Sequence, residues 1–263
     1  MAEIESYAPG TFCWVELATH DSRDAKRFYG GLFGWSGEDN PIGADEYYTM
    51  LRLGGKDVGA LFQMGRQEQS AGVPPHWTSY VSVASADEST ARAAELGGKI
   101  VKPAFDVMDA GRMSVIEDPT GAGFCLWQPR RNPGAGLVNE PGAFCWNELA
   151  VPDARAAGDF YSGLFGWGTM VQDMGSMRYT TFTNDGRPAG GMYQPSGEQA
   201  GMPPAWLVYF AVADCDASAA QAHSLGAAEI APPADIPGIG RFSILADPQG
   251  APFAIIKLAA MPA

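Results

Sequence analysis

The chain has 263 residues, 46% apolar and 18% charged, a composition that supports a folded core and excludes an intrinsically disordered chain. Its formal net charge is −13 because 30 acidic residues outnumber 17 basic ones, which argues against nucleic acid or anionic lipid as a partner. No stretch approaches the roughly 18 consecutive apolar residues of a membrane span.

The N-terminal stretch MAEIESYAPG lacks the basic and apolar segments of a secretion signal, so we expect a cytoplasmic protein. The four cysteines form no CxxC pair and lie in apolar contexts, where they behave as small hydrophobic residues rather than as a disulfide framework or zinc site. They are Cys13, Cys125, Cys145 and Cys215.

The first elements in chain order form a strand, a helix and two further strands. The stretch FCWVELAT, residues 12–19, is predicted to be a strand, and DSRDAKRFYGGLFG a helix with Asp21 as N-cap and Gly34 as its stop. The stretches YYTMLRL and VGALFQM are strands separated by a Gly-Gly turn.

A second unit repeats this order. Strand TSYVSVA is followed by helix ADESTARAAELGG and by the strands KIVKPAF, RMSVIE and GFCLWQ, the last two joined by the turn DPTG. More strands follow each helix than precede it, which predicts an α+β fold rather than a doubly wound α/β sheet.

The whole arrangement is then written a second time. GTFCWVELAT at Gly10 matches GAFCWNELAV at Gly142 in seven of ten positions, and GRMSVIEDPTGAGF at Gly111 returns as GRFSILADPQGAPF at Gly240. Such self-similarity predicts two copies of one domain. We assign residues 1–131 to the first domain, residues 132–141 to a Pro- and Gly-rich linker, and residues 142–263 to the second domain.

Alternation along the strands separates two faces. Cys13, Val15 and Leu17 share a face that we expect to pack under a helix, whereas Phe12, Trp14 and Glu16 share the other. In the second copy Phe144, Trp146 and Glu148 correspond to them. The first strand of the second unit presents Thr78 and Tyr80 in the same direction, and its counterpart in the second copy presents Tyr209. Tryptophan, tyrosine and glutamate on one curled sheet predict a small-molecule cavity, the alternative being an ordinary sheet face.

The blocks FYGGLFGW and FYSGLFGW, together with the DPTG and DPQG turns before a final strand, make the chain resemble the vicinal oxygen chelate superfamily of glyoxalases, bleomycin-resistance proteins and extradiol dioxygenases. The tandem layout is similar to two-domain glyoxalase-like proteins of mycobacteria and other actinobacteria, often labelled hydroxylases. The resemblance implies two tandem glyoxalase-like domains, four βαβββ modules in all, with curled mixed sheets around clefts.

The resemblance also implies a divalent metal held on the inward strand faces, at positions that here carry unsuitable side chains. These positions are Trp14, Thr78 and Cys125 in the first copy and Trp146, Leu207 and Ala254 in the second. Indole and alkyl groups do not bind a divalent ion, and one thiol with one hydroxyl is no hard-cation site. We therefore expect no metal and no other cofactor.

Glu16 and Glu148 are the candidate acid or base residues, because burial beside a tryptophan raises the pKa of a carboxyl. A carboxylate bonded to the backbone or to an arginine is the alternative. Arg112 and Arg241 could clamp an acidic ligand, or pair with Glu16 and Glu148, or pair with Asp106 and Asp235. The candidate ligand-binding residues are Trp14, Trp146, Thr78, Tyr80, Tyr209, Arg112, Arg241 and Cys125.

The leading function from sequence is binding of a small aromatic or polyketide-like metabolite in a cleft between modules, with accessory chemistry by the two glutamates. One alternative is a glyoxalase-type lyase, dioxygenase or hydroxylase that holds a metal through unusual ligands such as His76 and Glu16. Another is an interaction scaffold with vestigial clefts. We expect a monomer or weak homodimer in which tethering lets the sheets of one domain complete the cleft of the other.

Overall fold

The protein, described here from a computed structural model, forms two eight-stranded mixed sheets, one from each half of the chain. The structure describes residues 4–44, 46–175 and 177–259, and only the backbone of Glu198. The outer ends of the two predicted domains, at Met1 and Ala263, lie outside these ranges.

The first sheet contains two modules, each made of a strand, a helix and three strands. Its elements are β1 (Phe12–Thr19), α1 (Ser22–Phe33), β2 (Ser36–Gly43), β3 (Glu46–Leu53), β4 (Lys56–Gln63), the short α2 (Arg66–Ser70), β5 (His76–Ser82), α3 (Ala86–Glu95), β6 (Lys99–Val107), β7 (Gly111–Glu117) and β8 (Gly123–Pro129). The strand order is β2-β3-β4-β1-β5-β8-β7-β6, so antiparallel pairing of β1 with β5 joins the two modules.

The second sheet repeats this topology. Its elements are β9 (Phe144–Ala150), α4 (Ala154–Phe165), β10 (Gly168–Asp173), β11 (Arg178–Asn184), β12 (Arg187–Tyr193), β13 (Ala205–Ala211), α5 (Cys215–Ser224), β14 (Ala228–Ile236), β15 (Gly240–Ala246) and β16 (Pro252–Leu258). The order β10-β11-β12-β9-β13-β16-β15-β14 matches the first sheet position by position. The predicted fold of four βαβββ modules is confirmed. The longest described helices have 12 residues, and none of the described helices is long and apolar enough to cross a membrane.

The predicted helix boundaries of α1 hold because local side chains cap them. The Asp21 carboxylate accepts hydrogen bonds from the backbone N–H groups of Arg23 and Asp24, and Gly34 ends the helix with a left-handed φ of 74°. The helix α4 is capped in the same way by Asp153 and Gly166.

The sequence interpretation missed the two edge strands β2 and β10. Their stretches SGEDNPIG and GTMVQD are exposed along their whole length. Such a strand buries no side chains and so shows no alternation of apolar and polar residues; it is held in the sheet by backbone hydrogen bonds to its neighbour.

The two faces of each sheet are as predicted except at the first residues of β1 and β9. A bulge between Phe12 and Trp14 shifts the register, and the Phe12 ring lies 5.0 Å from the ring of Trp206 in the other domain. The prediction that Phe12 shares a face with Trp14 is therefore wrong, because the extra residue of a bulge reverses the side chains that precede it. Phe144 likewise belongs to the main core and precedes a bulge in the pairing of β9 with β13.

Each curled sheet has an inner, concave face and an outer face, which carries the helices. The two sheets pack back to back through these outer, helix-bearing faces. The Ser79 hydroxyl on β5 donates to the Asn147 side chain on β9 (2.6 Å), and the Phe33 ring of α1 lies 5.1 Å from that of Phe210 on β13. Because these contacts join the outer faces, the opposite, inner faces point away from each other. The expectation that one domain completes the cleft of the other is therefore wrong; each inner face belongs to the two modules of one domain.

The aspartates of the DPTG and DPQG turns connect the domains. One oxygen of Asp247 accepts the backbone N–H groups of Gln249 and Ala251 at 2.9 and 3.0 Å, while the other accepts the hydroxyl of Tyr29 from the first domain at 3.1 Å. The indole N–H of Trp77 donates to the same hydroxyl at 2.9 Å. A matching set, Trp206, Tyr161 and Asp118, runs in the opposite direction between the domains.

Candidate functional site

The inner face of the first sheet, which we call the first cup, holds Glu16 among aromatic side chains from three strands. The Tyr80 hydroxyl on β5 donates to the Glu16 carboxylate at 2.9 Å. The Trp14 indole N–H donates to the Tyr48 hydroxyl on β3 at 3.2 Å. Because cross-strand partners share a face, Thr78 lies opposite Glu16, and Cys125 lies beside Tyr80.

The inner face of the second sheet, the second cup, contains the matching cluster. The two carboxylate oxygens of Glu148 each accept a phenol hydroxyl at 2.9 Å, one from Tyr179 on β11 and one from Tyr209 on β13. The Trp146 indole N–H donates to the Tyr179 hydroxyl at 3.1 Å. Around this cluster lie half-buried apolar side chains: Leu207, Phe242, Ile244 and Leu258.

Burial controls the protonation of both clusters. It raises the pKa of Glu16 and of Glu148, and the phenol hydrogen bonds only partly oppose this rise. His76 lies near enough for its charge to lower the pKa of Glu16 by a smaller amount. Burial, followed by the glutamate charge, raises the pKa of Tyr80 and of Tyr209 well above the ordinary value. Each cluster therefore keeps its phenols protonated and favours a protonated carboxyl more than water does.

The Tyr179 hydroxyl fits into the second cluster because a neighbouring residue, Gly191, has no side chain. Gly191 on β12 pairs with Glu148, and a Cβ atom there would overlap the Tyr179 hydroxyl. In the first domain Ala60 pairs with Glu16. The sequence analysis did not connect Tyr48 or Tyr179 with either glutamate, because a pattern within one strand does not reveal which residue of another strand meets it.

The structure brings together Trp14, Glu16, Thr78, Tyr80 and Cys125, and in the other domain Trp146, Glu148 and Tyr209. Among the described contacts, neither glutamate meets an arginine or a backbone N–H, which were the alternatives for it. The tyrosine hydroxyls take that place.

Arg112 and Arg241 do not join these clusters. Arg112 donates to Asp87 on α3 at 2.8 Å and to Asp106 at 2.9 Å, and Arg241 makes the matching pairs with Asp216 and Asp235. Both arginines alternate with the inner-face residues Met113 and Phe242, so they lie on the outer face. Of the roles considered for them, the geometry supports pairing with Asp106 and Asp235 and not a ligand clamp.

The positions that would hold a metal do not fit one. Trp14, Thr78 and Cys125 supply an indole, a hydroxyl and a thiol whose pKa is raised by burial, while Trp146, Leu207 and Ala254 supply no ligand at all. Within residues 4–44, 46–175 and 177–259, no three His, Cys, Asp or Glu side chains converge on one point. The four cysteines are free thiols.

A groove of about 650 Å³ lies elsewhere on the second domain, between the start of α4 and the β10–β11 hairpin. Asp153, Arg155, Asp173 and Arg178 line it, and none of the described residues that line it is aromatic. The side chains of the cups, apolar and aromatic with a few convergent polar groups, match the usual lining of a ligand site, whereas those of this groove do not.

Comparison with known proteins places both halves of the chain in one family. Residues 14–127 match the family described as "Glyoxalase-like domain", and residues 144–255 match the "Glyoxalase/Bleomycin resistance protein/Dioxygenase superfamily". "Putative glyoxylase CFP32" of Mycobacterium bovis is 43% identical over 98% of both chains. "Anthracycline biosynthesis protein DnrV" of Streptomyces peucetius is 33% identical over 96% of this chain and 94% of its own.

Solved structures share the fold at low sequence identity. The Mn(II)-bound glyoxalase from Novosphingobium aromaticivorans has a TM-score of 0.64 at 15% identity, covering 97% of this chain and 86% of its own. An extradiol ring-cleaving dioxygenase from B. fuscum has a TM-score of 0.65 at 15% identity, covering 99% and 75%. As the repeated blocks of its sequence predicted, the chain belongs to the glyoxalase/bleomycin resistance protein/dioxygenase superfamily, also called the vicinal oxygen chelate superfamily.

Proposed function

We propose that the protein binds a small aromatic, polyketide-like metabolite on the inner face of its sheets and exchanges a proton with it through a buried glutamate. The observation that carries this proposal is the cluster around Glu148, whose two oxygens accept hydrogen bonds from Tyr179 and Tyr209 beside a half-buried Trp146. Glu16 with Tyr80 is its counterpart in the first domain.

The side chains of the second cup suit a flat ligand. Trp146, Phe242 and Leu207 keep part of their apolar surface exposed, so a planar aromatic ring gains stacking and burial there. The phenol hydroxyls of Tyr179 and Tyr209 are donors that can turn from the carboxylate to a carbonyl or hydroxyl oxygen of the ligand. A few convergent polar groups in an apolar cavity fix the orientation of a ligand.

The glutamate supplies acid–base chemistry. A carboxyl whose pKa is raised by burial is matched to proton transfer nearer neutral pH than an exposed one. In the ionised state, Glu148 accepts the proton of a ligand hydroxyl, and the resulting oxyanion receives hydrogen bonds from the two phenols. The reverse transfer returns the proton to the ligand. The exchange needs only the carboxyl, the phenols and the ligand.

The class of ligand draws support from a relative. The 33% identical protein DnrV is named for anthracycline biosynthesis, and anthracyclines are aromatic polyketides. A fused-ring hydroxyquinone combines the flat apolar surface and the neighbouring carbonyl and hydroxyl oxygens that the cup accommodates.

Binding of 1,8-dihydroxyanthraquinone, followed by quenching of tryptophan fluorescence and by calorimetry, tests the proposal. We expect Glu148→Gln to weaken binding roughly 10- to 100-fold, since a hydrogen bond to a charged group contributes about 1.5–3 kcal/mol. Glu88→Gln, an exposed residue on α3, is the matched control and should bind as the parent does. Equal affinity of the two variants, or no binding by the parent protein, would contradict the proposal.

A metal-dependent enzyme is the second candidate, favoured by the position of His76 on β5, two residues before Thr78, which is the cross-strand partner of Glu16. Protein purified without chelator should then carry one equivalent of a divalent metal and turn over the methylglyoxal–thiol adduct, and Glu16→Gln should abolish both. That combined result would rank this function above the binding proposal. Absence of turnover with added Mn²⁺, Fe²⁺, Ni²⁺ or Zn²⁺ would remove it.

A further inference from the structure

We propose that the two cups have diverged, so that only the second cup takes the ligand while side chains of the protein itself fill the first. This inference rests on the proposed function and adds the location of the site. It follows from comparing residues at matching positions of the two sheets, which the identical topology makes unambiguous.

The floor of the first cup carries a bulky tryptophan that the second cup lacks. Trp127 on β8 pairs with Met113, whereas the matching residue on β16 is Ile256, which pairs with Phe242. The Trp127 ring lies 6.4 Å from the ring of Tyr80, and its indole N–H donates to the backbone carbonyl of Asn132 at 3.0 Å. The tryptophan is therefore fixed in place and occupies more volume than Ile256 does at the matching position.

Two neighbouring floor positions differ in the same direction. Cys125 stands beside Tyr80, whereas Ala254 stands beside Tyr209. Ala60 pairs with Glu16, whereas Gly191 pairs with Glu148 and leaves room for the Tyr179 hydroxyl. At three other positions the first cup has the smaller side chain: Thr78, Met113 and Val115 match Leu207, Phe242 and Ile244. The floors therefore differ in shape, and the extra room of the second cup comes from its edge strand.

The wall formed by the edge strand differs as well. Phe105 on β6 pairs with Met113, and the ammonium group of Lys102 lies 3.9 Å from the centre of the Phe105 ring. At the matching positions of β14 the second domain has Ala234 and Ala231. Two small side chains thus replace a ring and a cation–π pair, which widens the second cup.

Exposure of the central tryptophan follows from these differences. Trp14 is 4% exposed and belongs to the main core, whereas Trp146 is half-buried and belongs to a separate apolar cluster with Tyr209 and Ile256. A ligand ring can therefore reach Trp146. With Ala231 where the first cup has Lys102, this wall has no cation, so the expected ligand is flat and uncharged.

The test transfers the filling residues of the first cup into the second. With 1,8-dihydroxyanthraquinone as the probe, the full-length protein should bind one equivalent. We expect Ile256→Trp to lower affinity at least tenfold while the circular dichroism spectrum stays unchanged, because the first cup already holds tryptophan at this position. Ala234→Phe, at an exposed position on the edge strand, should weaken binding in the same direction and serves if Ile256→Trp does not fold.

The reciprocal variant Trp127→Ile is the control and should keep one equivalent bound at the parent affinity in the second cup. Two equivalents bound by the parent protein, or parent affinity in a folded Ile256→Trp or Ala234→Phe variant, would overturn the inference and leave the proposed function standing. No binding by the parent protein would overturn both.

Discussion

Removing one hydroxyl from the connection between the domains should destabilise the whole chain. Tyr29 is fully buried, and its hydroxyl donates to Asp247 and accepts from the Trp77 indole. Tyr29→Phe keeps the ring and deletes both hydrogen bonds. It leaves a buried carboxylate oxygen and a buried N–H group without that partner, and each such loss costs about 1–3 kcal/mol.

We therefore expect a loss of about 3 kcal/mol for Tyr29→Phe and a similar loss for Tyr161→Phe, which deletes the matching bond to Asp118. For a chain near this size, 1 kcal/mol shifts the melting temperature by roughly 2–4 °C, so the expected decrease is roughly 6–12 °C. Differential scanning calorimetry measures this shift.

Tyr47→Phe is the control, because it removes the same atom from a tyrosine that is 49% exposed. A double-mutant cycle of Tyr29→Phe with Asp247→Asn isolates the bond between the domains. Equal melting temperatures for Tyr29→Phe and Tyr47→Phe, or a coupling energy of zero in the cycle, would refute the reasoning.

Three further outcomes follow from the site. The raised pKa of Glu148 makes its ionisation unfavourable in the folded protein, so the stabilising contribution of this group is present below its ordinary pKa of 4.5 and falls as pH rises through the higher pKa of the folded state. Calorimetry from pH 4 to 8 should therefore show the stability of Glu148→Gln increasing relative to that of the parent protein as pH rises. A difference in stability that stays constant with pH would contradict this. Gly191→Ala should displace Tyr179 and weaken anthraquinone binding about tenfold, which corresponds to the loss of one hydrogen bond to the ligand. The matching change in the first domain, Ala60→Gly, should leave the affinity unchanged. The Cys13 and Cys125 thiols, whose pKa values are raised by burial, should react with Ellman's reagent only after unfolding; fast labelling of native protein would show that they are accessible.

The sequence predicted which site residues share a face within one strand, but not which residues of other strands meet them. Alternation placed Trp14 and Glu16 on one face, and the repeat placed Trp146 and Glu148 likewise, because the pleat has a fixed period of two. The partners of Glu148 could not be read in this way. Tyr179 and Tyr209 come from strands 31 and 61 residues further along the chain, and only strand order and register bring their hydroxyls to it.

By itself, the sequence determined the duplication, the α+β modules and the capped helices, since these depend on local periodicity and on side-chain chemistry. Tertiary structure alone decided that the sheets pack back to back, that the bulge turns Phe12 into the core between the domains, and that Arg112 pairs away from Glu16. These features depend on contacts between residues far apart in the chain, where packing and register, not local pattern, select the partner.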